Sequence, residues 1–80
     1  MTTSQIQIKL LELIHTKTGV LPQIDDTFDA LKIDSLGMAE LTAEIEKAFG
    51  IRIGEDIMRV ENIQELVTYV ERKSAGSGPI

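Results

Sequence analysis

The chain is expected to fold as an all-α, four-helix bundle, with a long loop between the first and second helices and a short third helix. Three observations predict this. Apolar residues recur at helical spacing in three separate stretches: Ile6, Leu10, Leu13 and Ile14; Leu41, Ile45 and Phe49; Ile63, Leu66, Val67 and Val70. The one stretch that alternates like a strand, Ile51-Arg52-Ile53, is short and has no partner with which to form a sheet. Finally, 80 residues make one domain with a modest core, and without cysteine no disulfide can support anything less regular.

The elements follow in order. Ser4 and Gln7 have capping-box spacing and should open the first helix, with Ile8 and Leu11 widening its apolar face; Thr16 and Thr18 weaken its end and Gly19 suits its stop. Residues 19–34 form a long connection containing Pro22, Asp25 and Asp26. Because it carries Leu21, Ile24, Phe28, Leu31 and Ile33, it is expected to pack across the helices rather than hang free. The second helix should run from Ser35 to Phe49 and close at Gly50, with Glu40, Glu44 and Lys47 on one exposed face and Glu46 to another side. A short third turn is placed at Glu55 to Arg59, with Ile57 and Met58 pointing inward. Asn62 should cap the last helix, with Glu65 three residues on. The domain is taken as residues 1–73, and the small, polar, Gly-rich residues 74–80 as a flexible tail.

Composition excludes several function classes. The net charge is −5, and it is concentrated: between Leu21 and Glu61 ten acids face four bases, while the rest of the chain sums to +1. Such an acidic stretch disfavours nucleic acid and points to basic protein partners. No apolar run reaches the length of a membrane span and no signal-peptide pattern opens the chain, so a soluble cytoplasmic domain is expected. His15 is the only histidine, too little for a His-based zinc or iron site.

The residue that stands out is Ser35, in Leu31-Lys32-Ile33-Asp34-Ser35-Leu36-Gly37, where loop gives way to helix. A serine hydroxyl is a weak nucleophile without a base, and nothing marks His15 as its partner, so a hydrolase is disfavoured. A serine that is itself the substrate of another enzyme needs no such base. A helix N-terminus also favours an attached phosphodiester, through its unpaired N–H groups and partial positive charge. Asp34 can cap the helix or meet a base or metal ion on the modifying enzyme. Gly37 is expected to leave room for an incoming group, and Leu36 to be an exposed apolar anchor. The competing explanation is purely structural, because Asp and Ser are preferred helix caps in any protein.

The sequence resembles the acyl carrier proteins over about residues 4–73. The likeness is carried by Asp34-Ser35-Leu36, then Glu40-Leu41, then Ile45-Glu46 and Phe49-Gly50. It implies an acyl-carrier-like bundle that is not an enzyme and that holds biosynthetic intermediates as thioesters. The arm would be 4'-phosphopantetheine, taken from coenzyme A onto Ser35 by a phosphopantetheinyl transferase. Asp34, Leu36, Met38, Glu40, Glu44 and Glu46 would form the recognition helix, with Glu40 and Glu46 exposed. Acyl-transferring and chain-extending enzymes with basic docking surfaces would be its partners, and the chain itself a monomer. Phe28, Leu41, Ile45, Ile57 and Ile63 are the candidate cargo pocket. The chain departs from the family pattern at Lys32, where a glycine often stands, and at Gly37, where bacterial fatty-acid carriers commonly place an acid. Lys47 and Ala48 dilute the acidic helix end, and the Phe28–Ser35 loop is about one residue short. These departures favour a specialised, polyketide-like carrier over a fatty-acid synthesis carrier; an unmodified acidic interaction domain is the other alternative.

Overall fold

The computed structural model describes residues 2–76. They form three α-helices, α1 (Thr3–Thr18), α2 (Ser35–Phe49) and α3 (Ile63–Gly76), with a 3-10 helix at Glu55–Arg59 before α3. The expected third helix is therefore present as a single 3-10 turn, and the α-helix count is three rather than four. Its bonds span three residues, from Ile57 N to Gly54 O at 3.3 Å and from Val60 N to Ile57 O at 3.0 Å. Five residues are too few to establish an α-helical ladder. Ile57 points inward as expected, but Met58 is 67% exposed.

α1 starts earlier than the Ser4 cap expected from sequence. Thr2 is the N-cap, with its hydroxyl accepting from Gln5 N and its own N–H donating to Gln5 Oε1 at 2.8 Å. Thr2/Gln5 and Ser4/Gln7 satisfy the same spacing rule, and the earlier start adds Thr3 and Ser4 to the helix, whose first buried residue is Ile6. At the other end of α3 the helix continues through Gly76, so the first residues of the tail expected over 74–80 are helical. Residues 77–80 of that tail lie outside the described residues.

One core joins all the elements. Ile6, Leu10 and Ile14 come from α1, Leu41 and Ile45 from α2, Ile57 from the 3-10 helix and Ile63, Leu66, Val67 and Val70 from α3. The long connection contributes Phe28 and Ile33, with Ile24 and Leu31 packed at the edge. Leu21, also expected to pack, is instead 72% exposed, and Pro22 beside it is buried. Among the described residues no helix is long and apolar enough to cross a membrane.

The connection is held by its backbone as well as by its side chains. Ile63 N donates to Asp26 O at 3.1 Å and Gln64 N to Ile24 O at 2.9 Å, while Phe28 N reaches back to Glu61 O at 3.2 Å. The first N–H groups of α3, which have no acceptor within the helix, are thus satisfied by loop carbonyls. Closer to α2, Ile33 N donates to Phe28 O at 2.9 Å and Lys32 N to Asp29 O at 3.0 Å. Lys32 takes a left-handed conformation there, with φ +59°. A side chain is strained in that region.

Candidate functional site

The site is the junction that this anchored loop delivers. Asp34 is extended (φ −87°, ψ −172°) and caps α2, its Oδ1 accepting from Gly37 N at 2.8 Å while its carbonyl accepts from Met38 N at 2.8 Å. Because the aspartate does the capping, Ser35 is not needed for it. Ser35 is the first helical residue, exposed, and its hydroxyl has no bonding partner among the described residues. The first-turn N–H groups of Ser35 and Leu36 lack intrahelical acceptors and add the positive end of the helix dipole beside that hydroxyl. A phosphodiester fits such a place: an accessible oxygen, free N–H groups and no competing bond. Leu36 is 69% exposed.

Gly37 plays a different part from the one expected. A Cβ built on it would lie 3.1 Å from Ile33 Cγ2 and 3.4 Å from Asp34 Oδ1. Its missing side chain lets the last loop residues close against the helix, and the space is on the protein side rather than beside Ser35. Met38 is half-buried against the core.

The three glutamates of α2 divide. Glu44 is exposed. Glu40 is also exposed and pairs with Lys17 at the end of α1, Nζ to Oε1 3.0 Å. Glu46, expected on the surface, is half-buried, and its Oε2 accepts from Ile53 N at 2.8 Å. The cause is the left-handed turn at Gly50 (φ +65°), which folds residues 51–53 back beside the last turn of α2. The five candidate cargo residues are together but enclosed: Phe28 is 6% exposed, Ile57 4%, and Leu41, Ile45 and Ile63 fully buried.

A second polar group, built from residues far apart in the chain and so carrying no local sequence signal, ties the 3-10 helix to α3. The Tyr69 hydroxyl donates to Asp56 Oδ1 at 2.7 Å and accepts from Gly54 N at 3.3 Å, and Lys73 Nζ is 3.6 Å from Asp56 Oδ2. The tyrosine's hydrogen bond, helped by Lys73, holds the Asp56 carboxyl below the usual carboxylate range against a smaller opposing effect of desolvation. Burial, then the bond to Asp56, pushes the Tyr69 phenol up.

Comparison with known proteins bears on the same residues. Residues 9–70 match the family model described as "Phosphopantetheine attachment site". An acyl carrier protein of Chlorobium phaeobacteroides is 32% identical over 78 residues, covering 91% of this chain and all of that protein. The crystal structure of an acyl carrier protein from Thermotoga maritima superposes with a TM-score of 0.80 over 95% of this chain and 94% of that one, at 22% identity. The solution structure of the acetyl actinorhodin acyl carrier protein from Streptomyces coelicolor gives a TM-score of 0.68 at 27% identity, covering 98% of this chain and 95% of that one.

Proposed function

The chain belongs to the phosphopantetheine-binding acyl carrier family, and from that premise we propose that Ser35 is the residue that bears the arm. Carriers of this family are not enzymes, and the group they hold covalently is 4'-phosphopantetheine. The observation that carries the assignment to Ser35 is its hydroxyl, exposed at the head of α2 and released from capping duty by Asp34. On a phosphopantetheinyl transferase, Ser35 Oγ attacks the phosphorus of coenzyme A that bears the pantetheine. The bond from that phosphorus to the bridging oxygen breaks, 3',5'-ADP leaves, and the serine proton passes to a base of the transferase. The thiol of the arm holds acyl groups as thioesters. Asp34 keeps the first turn of α2 in place throughout.

Asp34, Leu36, Glu40 and Glu44 are the exposed part of the recognition surface, presented in the cytoplasm to the transferase and to acyl-transferring and chain-extending enzymes with basic docking surfaces. Glu46 supports that surface from inside by fixing the turn after α2. Between a fatty-acid carrier and a specialised, polyketide-like one, we favour the second. Gly37 supports this choice, because an acidic side chain at this position would press on Ile33. The five core residues Phe28, Leu41, Ile45, Ile57 and Ile63 are proposed to admit an aliphatic cargo by yielding at the 3-10 turn; acyl chains of increasing length should then shift the methyl signals of Ile57 and Ile63.

The assignment is tested by incubating wild type and Ser35→Ala with coenzyme A, magnesium and a transferase, and weighing the intact proteins. Wild type should gain one phosphopantetheine and the variant none. Modification that persists in the variant overturns the assignment, and a wild type that is never modified favours the unmodified interaction domain.

A further inference from the structure

We propose that Lys17 is an internal competitor for Glu40, and so sets how readily this carrier is engaged by arginine-bearing partners at the Ser35 end of α2; the proposal rests on the docking role given to Glu40 above. Lys17 belongs to the last turn of α1 and is 23 positions from Glu40, so the pair exists only once α1 and α2 have packed. The two side chains are held unequally, Lys17 being 19% exposed and Glu40 58%. The lysine lays its methylene stem against the protein and presents only its ammonium. With Asp34, Gly37 and Glu40 it lines a cleft of about 410 Å³ beside the first turn of α2. Its charge therefore lies within the field that a partner meets on approaching Ser35.

The remaining acids at this end sharpen the effect. Asp34 is committed to Gly37 N, so Glu40 is the first carboxylate after Ser35 that can turn to a partner. To offer a partner both of its oxygens it must leave Lys17, which holds Oε1. A partner arginine, which grips a carboxylate with two parallel N–H groups, displaces a single ammonium more easily than a partner lysine does. Lys17 thus filters partners by the geometry of their cation as well as by its sign, while Glu44, one turn further on, makes no ion pair among the described residues.

The test measures phosphopantetheinyl transfer from coenzyme A by a purified transferase, on wild type, Lys17→Met, Glu40→Gln, the double variant and Lys9→Met. Lys17→Met keeps the stem and removes the charge. It should raise kcat/KM about two- to fivefold, the range open to an exposed pair, mainly through KM. Glu40→Gln should lower kcat/KM, and adding Lys17→Met to it should then give no gain. Lys9→Met makes the same change in net charge about 12 Å earlier along α1 and should give no gain either. Melting curves on all five proteins verify folding. If Glu40→Gln weakens transfer but Lys17→Met does not strengthen it, the competition is refuted while the docking role stands. The same refutation follows if Lys17→Met helps equally with and without Glu40, since that is a general charge effect. If Glu40→Gln changes nothing, the docking role of Glu40 fails, and the competition with it.

Discussion

At its first turn α2 presents Ser35 and Leu36 to solvent and, one turn on, Glu40 to a lysine on the surface; at its last turn Glu46 bends inward to the Ile53 amide. Both glutamates belong to one helix and carry the same charge. What separates them is what the chain does next to each. Beside Glu40 stands the end of α1, which offers the ammonium of a largely covered lysine. Beside Glu46 the chain reverses at Gly50 and offers a backbone N–H that has no helical acceptor. The same carboxylate is adjustable in the first place and structural in the second, because a different part of the chain packs beside each side of the helix.

The largest contrast between the outward and inward faces should come from truncating their apolar residues. Ile45→Ala, at a fully buried site, should lower stability by about 2–5 kcal/mol in urea denaturation. Leu36→Ala should change it by less than about 0.5 kcal/mol while weakening transferase recognition. Comparable losses for both would mean that Leu36 is not the exposed anchor described.

Next in size is the contrast between the glutamates themselves. Glu46→Ala leaves the Ile53 amide without its acceptor and should cost about 1–3 kcal/mol, against about 0–1 kcal/mol for Glu40→Ala. Hydrogen exchange should report the Ile53 amide opened in the first variant and protected in the second. Smaller again is Lys32→Gly, which relieves the left-handed strain at φ +59° but gives the unfolded chain more freedom. The two effects oppose each other and should leave a net gain of about 0.5 kcal/mol.

The smallest effect concerns the segment beyond the inward end. Tyr69→Phe removes the bond to Asp56. Asp56 has a depressed folded pKa, so the stability it contributes is present above the ordinary carboxylate range and is lost as pH falls through the folded value. Tyr69 has a raised one, so its contribution is present below the ordinary phenol range and is lost as pH rises through the folded value. The melting-temperature gap between wild type and Tyr69→Phe should therefore be widest near neutrality and close toward both acid and alkali. A gap that does not vary with pH would assign the effect of Tyr69 to packing alone.

Much of this was legible in the sequence, for physical reasons that also mark the limit. The stripes Leu41, Ile45, Phe49 and Ile63, Leu66, Val67, Val70 located α2 and α3, because burial on one face is a local, periodic requirement. Asp34, Gly19 and Gly50 marked helix ends for equally local reasons. What could not be seen depends on residues far apart in the chain. The Lys17–Glu40 pair, the Tyr69–Asp56 bond and the capping of α3 by loop carbonyls need the tertiary fold before they exist. Glu46 was misplaced because the turn after it, rather than the helix containing it, decides its surroundings. Met58 was misplaced because a 3-10 turn has a different period from an α-helix, so only one of two adjacent apolar residues reaches the core.

Whether the outward end of α2 is the carrier site comes down to one atom, Ser35 Oγ. Wild-type protein, modified by a transferase and coenzyme A and then digested, should yield a peptide containing Asp34-Ser35-Leu36 that bears the whole phosphopantetheine. Tandem mass fragmentation should place the group on Ser35, with Thr42 of the same helix unmodified. Finding the phosphopantetheine on Thr42, or on any other hydroxyl of the chain, would contradict the account.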